Sequence, residues 1–228
     1  MAAQIEQNES RRLDQGFFER AAEIVAPDLI GCHLFTCIDG QRVGGVIIET
    51  EAYDQNDMAA HCYTGHGNVP PPSAEPMRFG GGHLYFYYTQ FGRCLNITCD
   101  ASEFGSAVLI RALRPIFGQE IMRSRRREIY DTKDLQDPVR YMSKLCNGPQ
   151  NICESLGIRD CLHRESLGGL SILDPRIELL KHREQGSHDR IVSSPRIGIP
   201  RQLDGKYAKF REEPEFKLAI ERPWRWKI

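Results

Sequence analysis

The chain reads as an α+β protein: a single mixed domain with a curved, mostly antiparallel β-sheet surrounded by helices. Three observations predict this. Short segments rich in β-branched and aromatic residues recur with turn residues between them, as strands do. Segments with helical spacing lie between and around them. The 228 residues run without an internal repeat or a linker-like shift in composition, a length that can bury a real core in one large domain.

Taken in order, Met1 to Asp14 is polar and lacks the apolar core of a secretory signal. It reads as a short disordered lead-in, leaving 15–228 as the folded domain. Phe17, Phe18, Ala21, Ala22, Ile24 and Val25 have helical spacing over Phe17 to Ala26, and Pro27 is expected to stop that helix. Leu29 to Cys37 and Arg42 to Tyr53 read as strands around an Asp39-Gly40 hairpin turn. Asp54 to Gly82, with Pro70-Pro71-Pro72 and Gly80-Gly81-Gly82, reads as a long loop, and loops of that length are often functional. Leu84 to Tyr88, Leu95 to Thr98 and Ser106 to Leu113 read as further strands. Pro115 then opens a helix over Ile116 to Ile129. Tyr130 to Val139 reads as a polar surface excursion. Gln150 to Leu156 is a helix led in by Gly148-Pro149 and closed by Gly157. Short strands are expected near Leu170 to Ile172 and Ile197 to Ile199, and Gly205 to Pro214 reads as a charged, flexible insertion.

Composition excludes several classes. Hydrophobic residues make up 40% and charged residues 27%, as in ordinary globular proteins. No apolar run approaches the roughly 20 residues that a membrane helix needs. None of the eight cysteines makes a C-x-x-C pair, so buried free thiols in a reducing, intracellular compartment are the simpler reading than zinc or disulfides. Net charge is −1, which does not announce a nucleic-acid binder. Arg111, Arg114, Arg123, Arg125, Arg126 and Arg127 nevertheless cluster within one stretch. That stretch is either a phosphate-binding face or a solvated helix face.

The chemistry concentrates at Val46-Ile47-Ile48-Glu49-Thr50-Glu51-Ala52-Tyr53, followed by His61. A strand that ends in acids is poorly suited to stability alone. Glu49 and Glu51 share one face of it, and that face could equally be solvated. Tyr53 and His61, with Tyr85, Tyr87 and Tyr88 on a neighbouring strand, offer flat side chains near a carboxylate. Singly each ring is explained by sheet packing. Together they suit a planar, electron-poor ligand such as a damaged nucleobase.

At these residues the sequence resembles the alkyladenine (3-methyladenine or methylpurine) DNA glycosylases. The resemblance extends through Gly82-His83-Leu84-Tyr85-Phe86-Tyr87, Cys94-Leu95-Asn96-Ile97, Val108 to Pro115, Leu145-Cys146-Asn147-Gly148-Pro149 to Leu156, Pro195 to Ile199 and Pro223-Trp224-Arg225. The blocks stand in the family's order across most of residues 17 to 226. The resemblance implies a monofunctional base-excision enzyme without cofactor or metal, a monomer acting on double-stranded DNA. It would flip an alkylated or deaminated purine (3-methyladenine, hypoxanthine, 1,N6-ethenoadenine) into a pocket and hydrolyse its N-glycosidic bond. Glu51 matches the general base, and Arg111 the arginine near the attacking water and the flipped nucleotide's phosphate. Tyr53, His61 and Tyr87 match the residues that enclose the base. Asn96 matches the side chain that crowds guanine's 2-amino group, and Leu109 joins them as a substrate-binding residue. Glu49 is assigned a supporting role. No motif lysine is placed for a Schiff-base step.

The sequence departs from the family between Tyr88 and Arg93, where a wedge residue fills the gap left by the flipped base. This segment is one residue shorter than the usual pattern. Intercalating wedges are usually apolar, so Phe91 is the physical candidate, with Gln90 the alternative and Arg93 a further DNA contact. Gly81 replaces a proline common before Gly82, and Tyr63 to Pro76 is atypical. Two other readings compete: a damaged-DNA-binding module on the same fold with weak chemistry, and a metal-dependent hydrolase using His61, Cys62 and other thiols, which the irregular ligand spacing disfavours.

Overall fold

Period-two alternation organises the molecule around one long strand. In the computed structural model, which describes residues 12–90, 92–126, 144–158, 169–181, 191–199, 210 and 212–228, that strand is β2 (Gln41–Asp54). Along one edge β2 pairs with β5 (Ser106–Phe117) from Asp54↔Ser106 to Gly44↔Phe117. Along the other edge, β1 (His33–Ile38) takes its first half and β8 (Arg225–Lys227) takes Glu49 to Glu51. Next to β5 come β4 (Gly92–Thr98) and β3 (Leu84–Thr89), β6 (Ile177–Leu180) flanks β1, and β7 (Val192–Ser194) pairs with β8. Every pairing between these strands is antiparallel. The α+β class and the open antiparallel sheet are as the sequence predicts.

The β1–β2 turn is the expected hairpin. Asp39 and Gly40 both have positive φ, 54° and 71°, the combination that matches the twist of the flanking strands. On one face of the sheet Ala52, Leu84, Phe86, Leu95, Ile97, Val108 and Ile110 are buried in the main core. They pack with α2 (Ala22–Asp28) and α4 (Pro149–Leu156), which contribute Val25, Ala26, Ile152, Cys153 and Leu156. Each large apolar side chain buried there contributes roughly 1.5–3 kcal/mol. The six described cysteines other than Cys37 are buried, and none of the seven described is in a disulfide; Cys161 lies outside the described residues.

Several local expectations change. The helix expected over Phe17 to Ala26 is two pieces, α1 (Gln15–Phe18) and α2, because the Phe18 and Arg20 carbonyls both accept from the Asp100 N–H. Pro27 sits inside the last turn of α2 rather than stopping it. Arg12 to Asp14, expected in the lead-in, are tied to the fold: Leu13 is buried, Arg12 donates to the Ile172, Asp174 and Ile177 carbonyls, and Asp14 caps α1. The Asp54 to Gly82 loop contains a 3-10 helix, Pro72–Arg78, with Ala74, Pro76 and Met77 buried. Pro115 does not start a helix. β5 continues through it to Phe117, and α3 is Gln119–Arg125. Pro115 lies opposite Gly45 at a register shift, where a strand tolerates proline.

Leu170 to Ile172 forms a single bridge, Ser171↔His83, and Ile197 to Ile199 is not a strand. Of the expected insertion, Phe210 is buried in a small cluster with Tyr63 and Phe216 of α5 (Pro214–Glu221), and 205–209 and 211 lie outside the described residues. So do the Tyr130 to Val139 excursion, Arg127 and residues 1–11. Among the described residues no helix is long and apolar enough to cross a membrane.

Candidate active site

The face of the sheet opposite the main core carries the polar residues. Register places Glu51 opposite Leu109, Leu109 opposite Asn96, and Asn96 opposite Tyr85. These four residues of β2, β5, β4 and β3 therefore form one row across the sheet. Two residues along each strand, Tyr53, Arg111, Cys94 and Tyr87 point to the same side. Strand alternation alone thus gathers six of the seven catalytic and substrate-binding residues expected from the sequence. His61 arrives from the loop after β2.

Glu51 is fully buried. Its Oε2 accepts from the Tyr53 hydroxyl at 2.8 Å and from Arg111 Nη1 at 3.3 Å, and its Oε1 accepts from the Ile197 backbone N–H at 2.7 Å. Burial raises the Glu51 pKa above the usual carboxylate value, while Arg111, the Ile197 amide, the Tyr53 hydroxyl and Arg196 oppose the rise. Tyr53 stays a proton donor, since burial and then the adjacent Glu51 push its pKa well up. Glu49 Oε1 accepts from Arg111 Nε at 3.0 Å and from Arg225 Nε at 2.6 Å. Arg111 thus bridges both acids. Burial alone would lower its pKa, but Glu51 and Glu49 raise it, so it remains cationic.

Above these groups lies a cavity of about 310 Å³, at the lower end of the range for ligand pockets. Tyr53, His61 and Tyr87 supply its rings, Asn96, Arg111 and Gln150 its polar groups, and Met77, Leu109, Pro149, Ile197 and Ile199 apolar walls. His61 lies 4.4 Å from Tyr87 between ring centroids, and its Nε2 is 2.7 Å from the Tyr85 hydroxyl. Burial first, then Tyr87, raises the Tyr85 pKa so far that the hydroxyl stays neutral. Asn96 Nδ2 donates to the Cys94 and Tyr85 carbonyls at 2.9 and 3.3 Å, which fixes the amide's orientation. Glu51 is not itself on the wall; it sits behind Tyr53, Arg111 and Ile197, which are.

Of the expected DNA-contact residues, Gln90 and Arg93 are not on the cavity wall. β3 and β4 pair to Thr89↔Gly92, and Gln90 follows the end of β3 as a turn residue. Gln90 is exposed there, and Phe91 lies outside the described residues. Arg93 Nε donates to the Tyr88 hydroxyl at 2.8 Å. The arginine cluster is largely used internally. Arg111 pairs with the two acids, Arg123 with Glu120, and the buried Arg126 with Glu154, while Arg125 donates to the Ser155 carbonyl and Gln41.

Sequence reasoning missed Tyr85 as a partner of His61, Gln150 on the wall and the Ile197 amide on Glu51. Gln150 and Ile197 stand in segments already singled out, but nothing in those segments says which group faces the acid. Among the described residues no cluster of three or more His, Cys, Asp or Glu side chains is arranged to hold a metal ion.

A buried carboxylate–arginine centre under an aromatic slot, on an antiparallel sheet, defines a class: an α+β protein built to hold a planar group against an acid. The particular family follows from comparison. The methylpurine-DNA glycosylase (MPG) family model matches residues 16–228, and the chain belongs to that family. It is accordingly a DNA glycosylase, a hydrolase acting on N-glycosyl bonds. Relatives provisionally named 3-methyladenine DNA glycosylases include one from Granulibacter bethesdensis, 37% identical over 210 residues (91% of this chain, 87% of the relative). Others are from Rhodopseudomonas palustris, 39% identical over 194 residues (84% and 83%), and Bradyrhizobium diazoefficiens, 40% identical over 205 residues (89% and 91%).

Proposed function

We propose that this enzyme captures alkylated or deaminated purines flipped from duplex DNA and hydrolyses the N-glycosidic bond with a water activated by Glu51. The observation that carries the reading is Glu51 itself: a buried carboxylate with three donors on it, one hydrogen bond behind an aromatic-walled cavity. Its Oε1 accepts from the Ile197 N–H, and a carboxylate oxygen can accept two hydrogen bonds. A water there would meet Glu51 where Tyr53, Arg111 and Ile197 converge.

Alkylation at N3 or N7 makes a purine cationic and a good leaving group. The site must then supply a placed water, a base and negative charge beside an oxocarbenium-like sugar, and an ionised Glu51 supplies the last two. Glu49 and Arg225 hold Arg111, and Arg111 holds Glu51. Tyr53, His61 and Tyr87 sandwich the base, Asn96 and Leu109 shape its edge, and hypoxanthine or 1,N6-ethenoadenine enter the same slot. Flipping needs a few kcal/mol, least at damaged pairs. Phe91, or failing it Gln90, fills the gap, with Arg93 on the backbone. The chain acts as a monomer.

The test is a panel of labelled duplexes carrying 3-methyladenine, hypoxanthine or 1,N6-ethenoadenine. Release of at least one base by the wild-type protein, without strand cleavage, is expected. No release from any of them would reject the reading.

A further inference from the structure

We propose that Arg196 is a positioning residue for base excision: held by Asp57, Tyr53 and two backbone carbonyls, it keeps the adjoining Ile197 amide on Glu51. The inference rests on Glu51 being the base, as proposed above.

Arg196 is not on the cavity wall, yet it joins three of its sides. Its side chain and that of Asp57 are both fully buried and form an ion pair. Its Nη1 donates to the Ala52 carbonyl at 2.8 Å and its Nη2 to the Ala219 carbonyl at 3.0 Å. Its guanidinium lies 4.6 Å from the Tyr53 ring centroid and 5.4 Å from that of Trp224. The next residue carries the contacts that matter: Ile197 N–H donates to Glu51 Oε1, and the Ile197 carbonyl accepts from Arg111 Nη1 at 3.3 Å. At the other end of the pair, Asp57 Oδ1 accepts from the Ala59 N–H at 3.1 Å, at the turn that leads to His61.

A buried ion pair is a weak stabiliser, since an apolar pair of similar volume often does as well. What a planar guanidinium adds is direction: its donors fix several acceptors at set angles. Here those acceptors lie on β2, on α5 and on the Asp57 turn. The segment 195–199 is not part of a strand, so this fork, together with the Arg111 bond to the Ile197 carbonyl, aims the Ile197 amide.

Displacement of that amide should slow the chemical step more than binding, on the scale of roughly 10²-fold for a misplacement of about 1 Å. It should also move the acid limb of the rate profile. Around Glu51 stand Glu49 and Tyr53 from β2, Arg111 from β5, Cys94 from β4, Arg225 from β8 and Arg196 itself. The Ile197 amide and Arg196 both favour the ionised acid, so losing them moves the limb to higher pH.

The experiment uses Arg196→Met/Asp57→Asn, which removes both buried charges together and keeps Oδ1 for Ala59, with Arg196→Lys, which keeps the charge but not the fork. Dimethyl sulfate-treated duplex DNA is the probe, and wild type and Glu51→Gln are the controls. Each variant is assayed for melting temperature, duplex affinity, single-turnover base release and its pH profile. In the double variant, release should fall about 10- to 100-fold with duplex affinity within about threefold, and the acid limb should move up; Arg196→Lys should fall between it and wild type. Unchanged release and limb in either folded variant would overturn the proposal. So would a loss of release that follows a loss of binding or folding with the limb unmoved, because that is a structural role only. Wild-type release from Glu51→Gln would instead reject the underlying reading of Glu51.

Discussion

At the scale of single residues, Glu51 sets stability against chemistry. Glu51→Gln keeps the shape and the lesion-binding slot but cannot take a proton from water. Excision should fall roughly 10²–10⁴-fold with duplex binding kept, which single-turnover release and a gel-shift titration measure. For wild type, burial puts the Glu51 pKa above the ordinary carboxylate value, so the acid limb of the rate profile should lie above that value and vanish in Glu51→Gln. The same shift has a sign for stability. In the window between the unfolded and folded pKa values, the unfolded chain has already released its proton and the folded chain has not. Stability therefore falls as pH rises through that window, and the penalty is complete above the folded pKa. Glu51→Gln does not titrate. Its melting temperature relative to wild type should rise from acid to neutral pH, and a constant difference across the series would contradict the burial argument.

At the scale of elements, the strands that carry the site were legible and the connections were not. Glu51, Tyr53, Tyr87, Asn96, Leu109 and Arg111 were named through the family resemblance, and strand alternation and register gather them on one face of the sheet, Glu51, Leu109 and Asn96 in one row and the others two residues along. Pro115 was misread as a helix start because the feature that admits it is on another strand. A Cβ on Gly45 would lie 2.3 Å from the Arg114 carbonyl oxygen, and that close approach defines the local pairing. Gly45→Ala should accordingly destabilise by roughly 1–3 kcal/mol, read by denaturant titration. The Ile197 amide was invisible for a similar reason: 146 residues separate it from Glu51, and a backbone donor leaves no mark in a side-chain pattern. The segment from Thr89 to Arg93 is where the sequence was read as departing from the family it resembles. Gln150 Nε2 ties α4 to β3 and β4 through Thr89 Oγ1 at 3.2 Å and Cys94 Sγ at 3.4 Å. A ring stacked in the base gap is worth roughly 1–3 kcal/mol on the scale of base–aromatic contacts. Phe91→Ala should therefore weaken capture of a flipped base more than Gln90→Ala, as followed by fluorescence of a 2-aminopurine placed beside the lesion. The reverse order would move the wedge to Gln90.

At the scale of the whole molecule, charge and internal architecture compete for the same arginines. A net charge of −1 gives no bulk attraction to DNA, so affinity must come from a few local contacts. The run from Arg111 to Arg127 was left open in the sequence between a phosphate-binding face and a solvated helix face, and three of its described members, Arg111, Arg125 and Arg126, are engaged inside the fold. Arg126 decides the point. It is 2% exposed and bonds Glu154 Oε2 at 2.7 Å, tying the end of α3 to α4. A phosphate contact and an internal tie make opposite predictions for Arg126→Gln. Loss of a phosphate contact would leave stability nearly unchanged and reduce the slope of log affinity against log salt by about 0.9. Loss of an internal tie leaves buried polar groups short of partners, at roughly 1–3 kcal/mol, and leaves the salt slope alone. Burial places Arg126 in the second case. Its variant should melt earlier and bind a lesion duplex with an unchanged salt slope, measured by thermal denaturation and by fluorescence anisotropy across a salt series. A reduced slope at wild-type stability would return this stretch to the DNA-binding face.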